Sequence, residues 1–176
     1  DKMNAQRIEP DCGAFTVLIS ASIRQNNFDG AFDLFHMMRK HGIQLDAVAF
    51  TSLIHGYAKR GMVERAVGLF NDMRNSGQHP THITYNVMIH ACAQSTYYAA
   101  KAQDYFHWMK ADGYYPDEVT YNSLLHACSR NGDVQACLTV LEDMAEHQVP
   151  WTERTYSSLI NTYARAQIKR IYDQAP

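Results

Sequence analysis

Hydrophobic residues recur along this chain with the spacing of an α-helix, in two kinds of segment that alternate. One kind has apolar residues at positions i, i+3, i+4 and i+7, as at Phe50, Leu53, Ile54 and Tyr57. The other has the same spacing with a different set, as at Ala66, Leu69, Phe70 and Met73. This spacing places the apolar residues on one face of a helix. No alternating strand pattern competes with it, so the sequence predicts pairs of amphipathic helices.

The helix pairs repeat at a fixed distance along the chain. Residues 83–94 and residues 119–130 share the strings Thr-Tyr-Asn and His-Ala-Cys, thirty-six positions apart. Related segments elsewhere are thirty-five residues apart, which puts the repeat starts at Cys12, Ala47, His82, Glu118 and Glu153. A constant period of this size is typical of a stacked repeat array. Because one pair is too small to bury its own apolar face, stacking of neighbours has to complete the core.

The register divides the chain into five repeats and a leading fragment. We predict the end of a preceding repeat at 1–11, then repeat 1 at 12–46, repeat 2 at 47–81, repeat 3 at 82–117, repeat 4 at 118–152, and a partial repeat 5 with a tail at 153–176. Repeat 3 has one extra residue, which we place in 95–100, between its helices. Residues 168–172 occupy the slot of a second helix without its usual signature.

Glycines mark the predicted turns. Gly61 and Gly132 lie between paired helices, whereas Gly42, Gly77 and Gly113 lie where a second helix should end in a left-handed residue. In repeat 4, Gln148 takes the place of that glycine.

Charge and cysteine content change the functional picture only slightly. The formal net charge of −2 argues mildly against nucleic acid. The four cysteines lack metal-ligand spacing, and nothing resembles a catalytic motif, so we expect neither an enzyme nor a cofactor. His55, His90 and His126 recur in register, but stacked helices would hold them roughly 8–10 Å apart. Zinc ligands lie about 2 Å from the metal, so we predict no metal site.

These residues resemble the pentatricopeptide repeat family. The resemblance is carried by Val-Thr-Tyr-Asn-Ser-Leu-Leu at 119–125, by Ala-Val-Gly-Leu-Phe-Asn-Asp-Met at 66–73, and by Pro116 with Asp117 closing a repeat. It covers roughly residues 12–166. The tetratricopeptide repeat is a poorer match because it has glycine at the eighth position of its first helix. Here that position holds Ile19, Ile54, Ile89, Leu125 and Ile160.

The resemblance implies an all-α, right-handed α-solenoid that binds single-stranded RNA in a mitochondrion or chloroplast, one base per repeat. The base-reading residues it implies are Thr16 with Asp46, Thr51 with Thr81, Asn86 with Asp117, Asn122 with Thr152, and Ser157 with no assigned partner. By the family's code, Thr with Asp suggests guanine, Asn with Asp uracil, and Asn with Thr a pyrimidine. The residues that would sandwich the bases are Val48, Ile83 and Val119.

The second member of each reading pair also has a purely structural interpretation. Asp46, Thr81, Asp117 and Thr152 directly precede a first helix, and Asp and Thr are preferred N-caps. Capping alone does not account for the Asn or Thr five residues later, inside a helix that neither residue favours. Both roles can coexist.

A column of cations ends the first helices. The thirteenth residue of each repeat is Arg24, Lys59, Gln94, Arg130 or Arg165. Stacking would align these cations, and such a row can follow a phosphate backbone. The alternative is that they complement the helix dipole. Acidic residues on second helices, such as Asp72 and Asp143, are expected to face away from this row.

Two functions follow from the sequence. The first is sequence-specific binding of single-stranded RNA, in processing, stability or translation of organellar transcripts. The second is a helical scaffold that holds protein neighbours in an organellar ribosome or RNA polymerase. Neither function involves a membrane, since no apolar run approaches the roughly 18 residues of a span.

Overall fold

The computed structural model describes residues 12–95 and 97–173, with the backbone alone at 171–173. This part of the chain forms nine helices and no strand, which confirms the predicted all-helical architecture. The helices are α1 (Cys12–Arg24), α2 (Phe28–Lys40), α3 (Ala47–Lys59), α4 (Val63–Asn75), α5 (His82–Gln94), α6 (Lys101–Ala111), α7 (Glu118–Asn131), α8 (Val134–Glu146) and α9 (Glu153–Asp173). The predicted repeat end at 1–11 lies outside the described residues.

First helices begin where a polar side chain caps them. The Asp46 carboxylate accepts a hydrogen bond of 2.7 Å from the backbone N–H of Ala49 and so caps α3. Asp117 does the same for α7, accepting 2.9 Å from the Thr120 N–H. Such caps satisfy one of the four backbone donors that a helix N-terminus leaves unpaired.

The chain forms two compact units, Asp1–Thr84 and Tyr85–Pro176, and the division falls within α5. In the N-terminal unit, α1 packs against α2 and α3, and α3 packs against α4. Its fully buried side chains come from both kinds of helix and include Ile19, Met38, Leu53, Ile54, Phe70 and Met73. Full burial of one such side chain contributes about 1.5–3 kcal/mol, so the packed apolar faces hold each unit together.

In the C-terminal unit, α7 packs against α8 and α9. The largest fully buried side chains there are Tyr85, Met88, Ile89, Met109, Tyr121 and Leu124. These are the apolar faces that the sequence pattern predicts.

Second helices end in left-handed residues. Gly113 has a φ of +84°, a conformation that glycine adopts without steric penalty. Gln148 adopts the same region with a φ of +57°, in the place where the other repeats have glycine. The turn geometry is therefore kept in repeat 4 despite the side chain.

The tail differs from the expectation for a second helix. α9 runs without interruption from Glu153 to Asp173, so the described residues of 168–172 continue the first helix of repeat 5. The stretch 164–170 reads Ala-Arg-Ala-Gln-Ile-Lys-Arg, which is rich in good helix formers and has no glycine to end the helix. No described helix is long and apolar enough to cross a membrane.

Candidate nucleic-acid interface

Thr16 and Asp46, predicted to act as a pair, meet in the N-terminal unit. The Thr16 hydroxyl oxygen lies 3.2 and 3.3 Å from the two carboxylate oxygens of Asp46. The same hydroxyl is 2.9 Å from the backbone carbonyl of Cys12, so its single proton is shared between two acceptors. Because Asp46 also caps α3, capping and pairing coexist in one carboxylate.

Thr51 and Thr81 are joined through a third residue. The hydroxyls of Thr51 and Thr84 lie 2.8 Å apart, and those of Thr84 and Thr81 lie 3.1 Å apart. Thr51 donates its proton to the carbonyl of Ala47 at 2.7 Å, so it accepts from Thr84. Sequence analysis did not single out Thr84.

In the C-terminal unit, Asn86 contacts its predicted partner directly. The side-chain nitrogen of Asn86 donates to both carboxylate oxygens of Asp117 at 3.3 Å. The Thr120 hydroxyl donates to the side-chain oxygen of Asn86 at 2.5 Å. Thr120 also accepts 3.2 Å from the Asp117 N–H, which completes a capping box. The Asn86 amide is thus held at both of its polar ends.

Asn122 and Thr152 are connected only indirectly. The Thr155 hydroxyl donates 3.3 Å to the side-chain oxygen of Asn122 and lies 3.4 Å from the Thr152 hydroxyl. The nitrogen of the Asn122 amide donates 3.3 Å to Glu118, one turn earlier on α7. Ser157 is exposed on α9.

The predicted sandwich residues are apolar side chains at the surface. Val48 and Ile83 of the N-terminal unit are 60% and 65% exposed, and Val119 of the C-terminal unit is 58% exposed. Each is the second residue of a first helix. Their exposure keeps them accessible to a stacked base, although Gly13 and Arg154 occupy the same position in repeats 1 and 5.

The cations of the thirteenth-residue column mostly contact the end of the preceding first helix. Lys59 donates 3.0 Å to the side chain of Asn26, just after α1. Arg130 donates to the backbone carbonyl of Gln94, the last residue of α5.

Arg165 continues this pattern and donates 3.1 Å to the carbonyl of Arg130, near the end of α7. Arg24 differs, since it contacts the carbonyl of Ser20 in its own helix at 3.3 Å. Lys59, Arg130 and Arg165 therefore satisfy carbonyl or amide oxygens at the helix end of a neighbour, a geometry close to the helix-dipole alternative. Contact with phosphate stays a prediction.

The histidine column lies beside these cations. Burial and the charge of Lys59 lower the pKa of His55. Burial, followed by the charge of Arg130 and by His90, lowers the pKa of His126. Both rings are therefore neutral at neutral pH. Among the described residues, no group of three or more His, Cys, Asp or Glu side chains could hold a metal ion.

One acidic residue of a second helix has partners that the sequence did not predict. The Asp143 carboxylate accepts 2.7 Å from the Tyr121 hydroxyl and 2.6 Å from Lys110. Burial raises the pKa of Asp143, but these two hydrogen bonds and the charges of Lys110 and His147 together outweigh burial and lower it below its ordinary value. Asp143 on α8 therefore bonds both α6 and α7, whereas Asp72 on α4 is exposed.

The cysteines are core residues. Cys92, Cys128 and Cys137 are buried, and none of the four cysteines forms a disulfide. Burial raises the pKa of Cys92 and of Cys128 to about 12, so both stay protonated and unreactive at neutral pH.

Comparison with known families identifies the class. A profile of the PPR (pentatricopeptide) repeat family matches residues 10–59, 45–94 and 116–165, together more than half of the chain. The chain belongs to the PPR repeat family. Comparison with curated proteins gave no match.

Solved structures of PPR proteins share the fold. The pentatricopeptide repeat protein PPR10, in complex with an 18-nt psaJ RNA element, is 27% identical with a TM-score of 0.70; the alignment covers 96% of this chain and 24% of that one. PPR10 from maize also matches. The chain thus spans about a quarter of the length of PPR10.

Two Arabidopsis thaliana structures show the fold alone. Nuclear proteinaceous RNase P 2 is 20% identical with a TM-score of 0.79, over 92% of this chain and 36% of that one. The PPR domain of protein-only RNase P 1, in complex with tRNA, is 19% identical with a TM-score of 0.76; the alignment covers 86% of this chain and 80% of that one.

Proposed function

We propose that this chain binds single-stranded RNA in a sequence-selective way, with one base read by each repeat. The observation that carries the proposal is the Asn86 site. Its amide is held by the Asp117 carboxylate on one side and by the Thr120 hydroxyl on the other. A fixed amide presents its donor and its acceptor in defined directions, which is what recognition of a base edge requires.

Family membership and the structure of PPR10 with RNA support the same proposal. The reading pairs then suggest guanine for Thr16 with Asp46, uracil for Asn86 with Asp117, and a pyrimidine for Asn122 with Thr152. The exposed Val48, Ile83 and Val119 would stack against the bases, and Arg24, Lys59, Arg130 and Arg165 would contact phosphates. An organellar role in RNA processing, stability or translation is part of this proposal.

Binding to short RNAs in which each position is varied in turn tests the proposal. At the position that repeat 3 reads, uracil is expected to bind best, and Asn86→Ala should cost about 1–3 kcal/mol and flatten the preference. If four phosphates are contacted, the logarithm of the binding constant should fall with the logarithm of salt concentration with a slope of about −3. RNA binding that is equal for all sequences, or absent, would refute base reading.

Two observations favour a second candidate, a scaffold for proteins in a large organellar complex. Lys59, Arg130 and Arg165 already contact neighbouring helix ends, and the net charge is −2. Stoichiometric protein partners that are recovered without RNA, together with negligible RNA affinity, would favour the scaffold.

A further inference from the structure

Three first helices have a threonine as their third residue, and its contacts reach beyond its own repeat. Thr84, Thr120 and Thr155 are 0% exposed. Each accepts a hydrogen bond of 3.1 or 3.2 Å from the backbone N–H of its own N-cap residue. Each also contacts the reading residue of the preceding repeat, thirty-three or thirty-four positions earlier: Thr51, Asn86 and Asn122 respectively. Capping accounts for the first contact and not for the second.

The chemistry around Asn86 shows which way its amide faces. A carboxylate only accepts hydrogen bonds, so the Asn86 nitrogen is the end that lies 3.3 Å from Asp117. The amide oxygen then faces Thr120, whose single hydroxyl proton is shared between this oxygen at 2.5 Å and a carboxylate oxygen of Asp117 at 2.9 Å, with the amide oxygen the nearer acceptor. The opposite orientation would place the amide oxygen against the carboxylate. Asp117 and Thr120 therefore favour the same orientation.

Fewer fixed groups orient the Asn122 amide than orient the Asn86 amide. Its cap, Thr152, is a hydroxyl that can both donate and accept, so it does not dictate an orientation. Glu118, which accepts from the Asn122 nitrogen at 3.3 Å, is an exposed side chain. Thr155, fully buried, is the fixed group that faces the amide oxygen.

We propose that Thr120 and Thr155 are positioning residues for base discrimination, each acting on the reading amide of the repeat before its own. This inference rests on the proposed function and deepens it. Uracil and cytosine differ at their hydrogen-bonding edge by an exchange of donor and acceptor: uracil has the O4 acceptor where cytosine has the N4 donor. An amide that flips accepts both bases, because flipping exchanges its own donor and acceptor. The buried hydroxyl proton suppresses the flip and keeps one pyrimidine preferred.

The test replaces the hydroxyl by a methyl group of similar size. Thr120→Val and Thr155→Val are measured on this chain with RNAs that carry uracil or cytosine at one position at a time. The base that repeat 3 reads is the position at which Asn86→Ala flattens the preference, and Asn122→Ala locates the next one. Thr120→Val should lower the uracil-to-cytosine ratio of affinities at the Asn86 position by about two- to tenfold, the worth of one hydrogen bond. Thr120→Val should leave the uracil-to-cytosine ratio at the Asn122 position unchanged.

Thr155→Val should alter the ratio at the Asn122 position alone, by a larger factor than Thr120→Val produces at its own target, since Asp117 still holds the Asn86 amide. Thr120→Ser and Thr155→Ser retain the hydroxyl and should restore the ratios. These effects appear at the base of the preceding repeat, which a general loss of helix stability would not produce.

Two controls separate positioning from stability. Thr139→Val makes the same chemical change at an exposed threonine of α8 whose hydroxyl donates to the Gln135 carbonyl of its own helix, and it should change no ratio. Asp133→Ala removes the N-cap bond of 3.0 Å to Ala136 on α8 and should lower the melting temperature without changing a ratio.

The outcomes are distinguishable. If Asn86→Ala flattens the preference but Thr120→Val and Thr155→Val leave every ratio unchanged, the positioning role is overturned and the proposed function stands. If Asn86→Ala and Asn122→Ala change the base preference at no RNA position, base reading is refuted, and the positioning role is refuted with it. Equal changes at both positions in every valine variant would also overturn the inference, because they would indicate a nonspecific loss of structure.

Discussion

Asp117 both caps α7 and contacts the Asn86 amide, and two substitutions at this residue separate the cap from the proposed role in base reading. Asp117→Ala removes the 2.9 Å bond to the Thr120 N–H and both 3.3 Å contacts from Asn86. Loss of such a cap costs about 0.5–2 kcal/mol. For a chain of this length that corresponds to a fall in melting temperature of about 1–8 °C.

Asp117→Asn keeps a good N-cap, since Asn and Asp rank equally there. The lost charge at the α7 N-terminus costs about 0.3–1 kcal/mol, so the melting temperature should change by only a few degrees. The contact with Asn86 changes more, because an amide both donates and accepts and no longer dictates the orientation of the Asn86 amide. Asp117→Asn should therefore keep RNA affinity but lose part of the preference for uracil over cytosine at that base, because Thr120 still favours the original orientation.

Thermal unfolding followed by circular dichroism measures the melting temperature. Fluorescence anisotropy with uracil and cytosine RNAs measures the preference for uracil over cytosine. If Asp117→Asn destabilises the chain as much as Asp117→Ala while uracil preference persists, Asp117 is a cap only and the reasoning is wrong. Arg130→Ala is a useful contrast, because it should weaken all RNAs without changing base preference.

Three further predictions address the cation column, pH and the turns. Arg130→Ala should reduce affinity for every RNA alike and lower the salt slope by about one, as measured by titration at several salt concentrations. Because the folded pKa of His126 lies below the unfolded value of about 6.5, its contribution to stability is present above that pH and lost as pH falls through the folded pKa. The melting temperature should therefore decrease on acidification, and less so in His126→Gln. Gly113→Ala, at a φ of +84°, should destabilise by about 1 kcal/mol or more in thermal unfolding. Gly68→Ala, on α4 with nothing within 4 Å of the added methyl, should be neutral or stabilising.

The sequence alone determined the helices and their turns because the relevant physics is local. The apolar spacing in segments such as Phe50–Tyr57 selects one helix face, and Gly113 marks a turn that needs positive φ. The pairing of Asn86 with Asp117 came from the resemblance to the pentatricopeptide repeat family, and the fixed period adds that the two residues lie near the starts of successive first helices. The continuous α9 was missed because a first helix without a terminating glycine can run on.

Only the tertiary structure decided which polar groups meet across repeats. Thr120 gives no signal as a reading residue within its own repeat, because the Asn86 amide that it holds lies thirty-four residues earlier. Arg130 could have faced solvent, but it reaches the end of α5. Asp143 has the sequence context of an exposed helix residue, and only packing brings Lys110 and Tyr121 to it. A helical period fixes the face on which a side chain lies. The partner of that side chain depends on packing, which brings polar groups from distant parts of the chain within about 3 Å of one another.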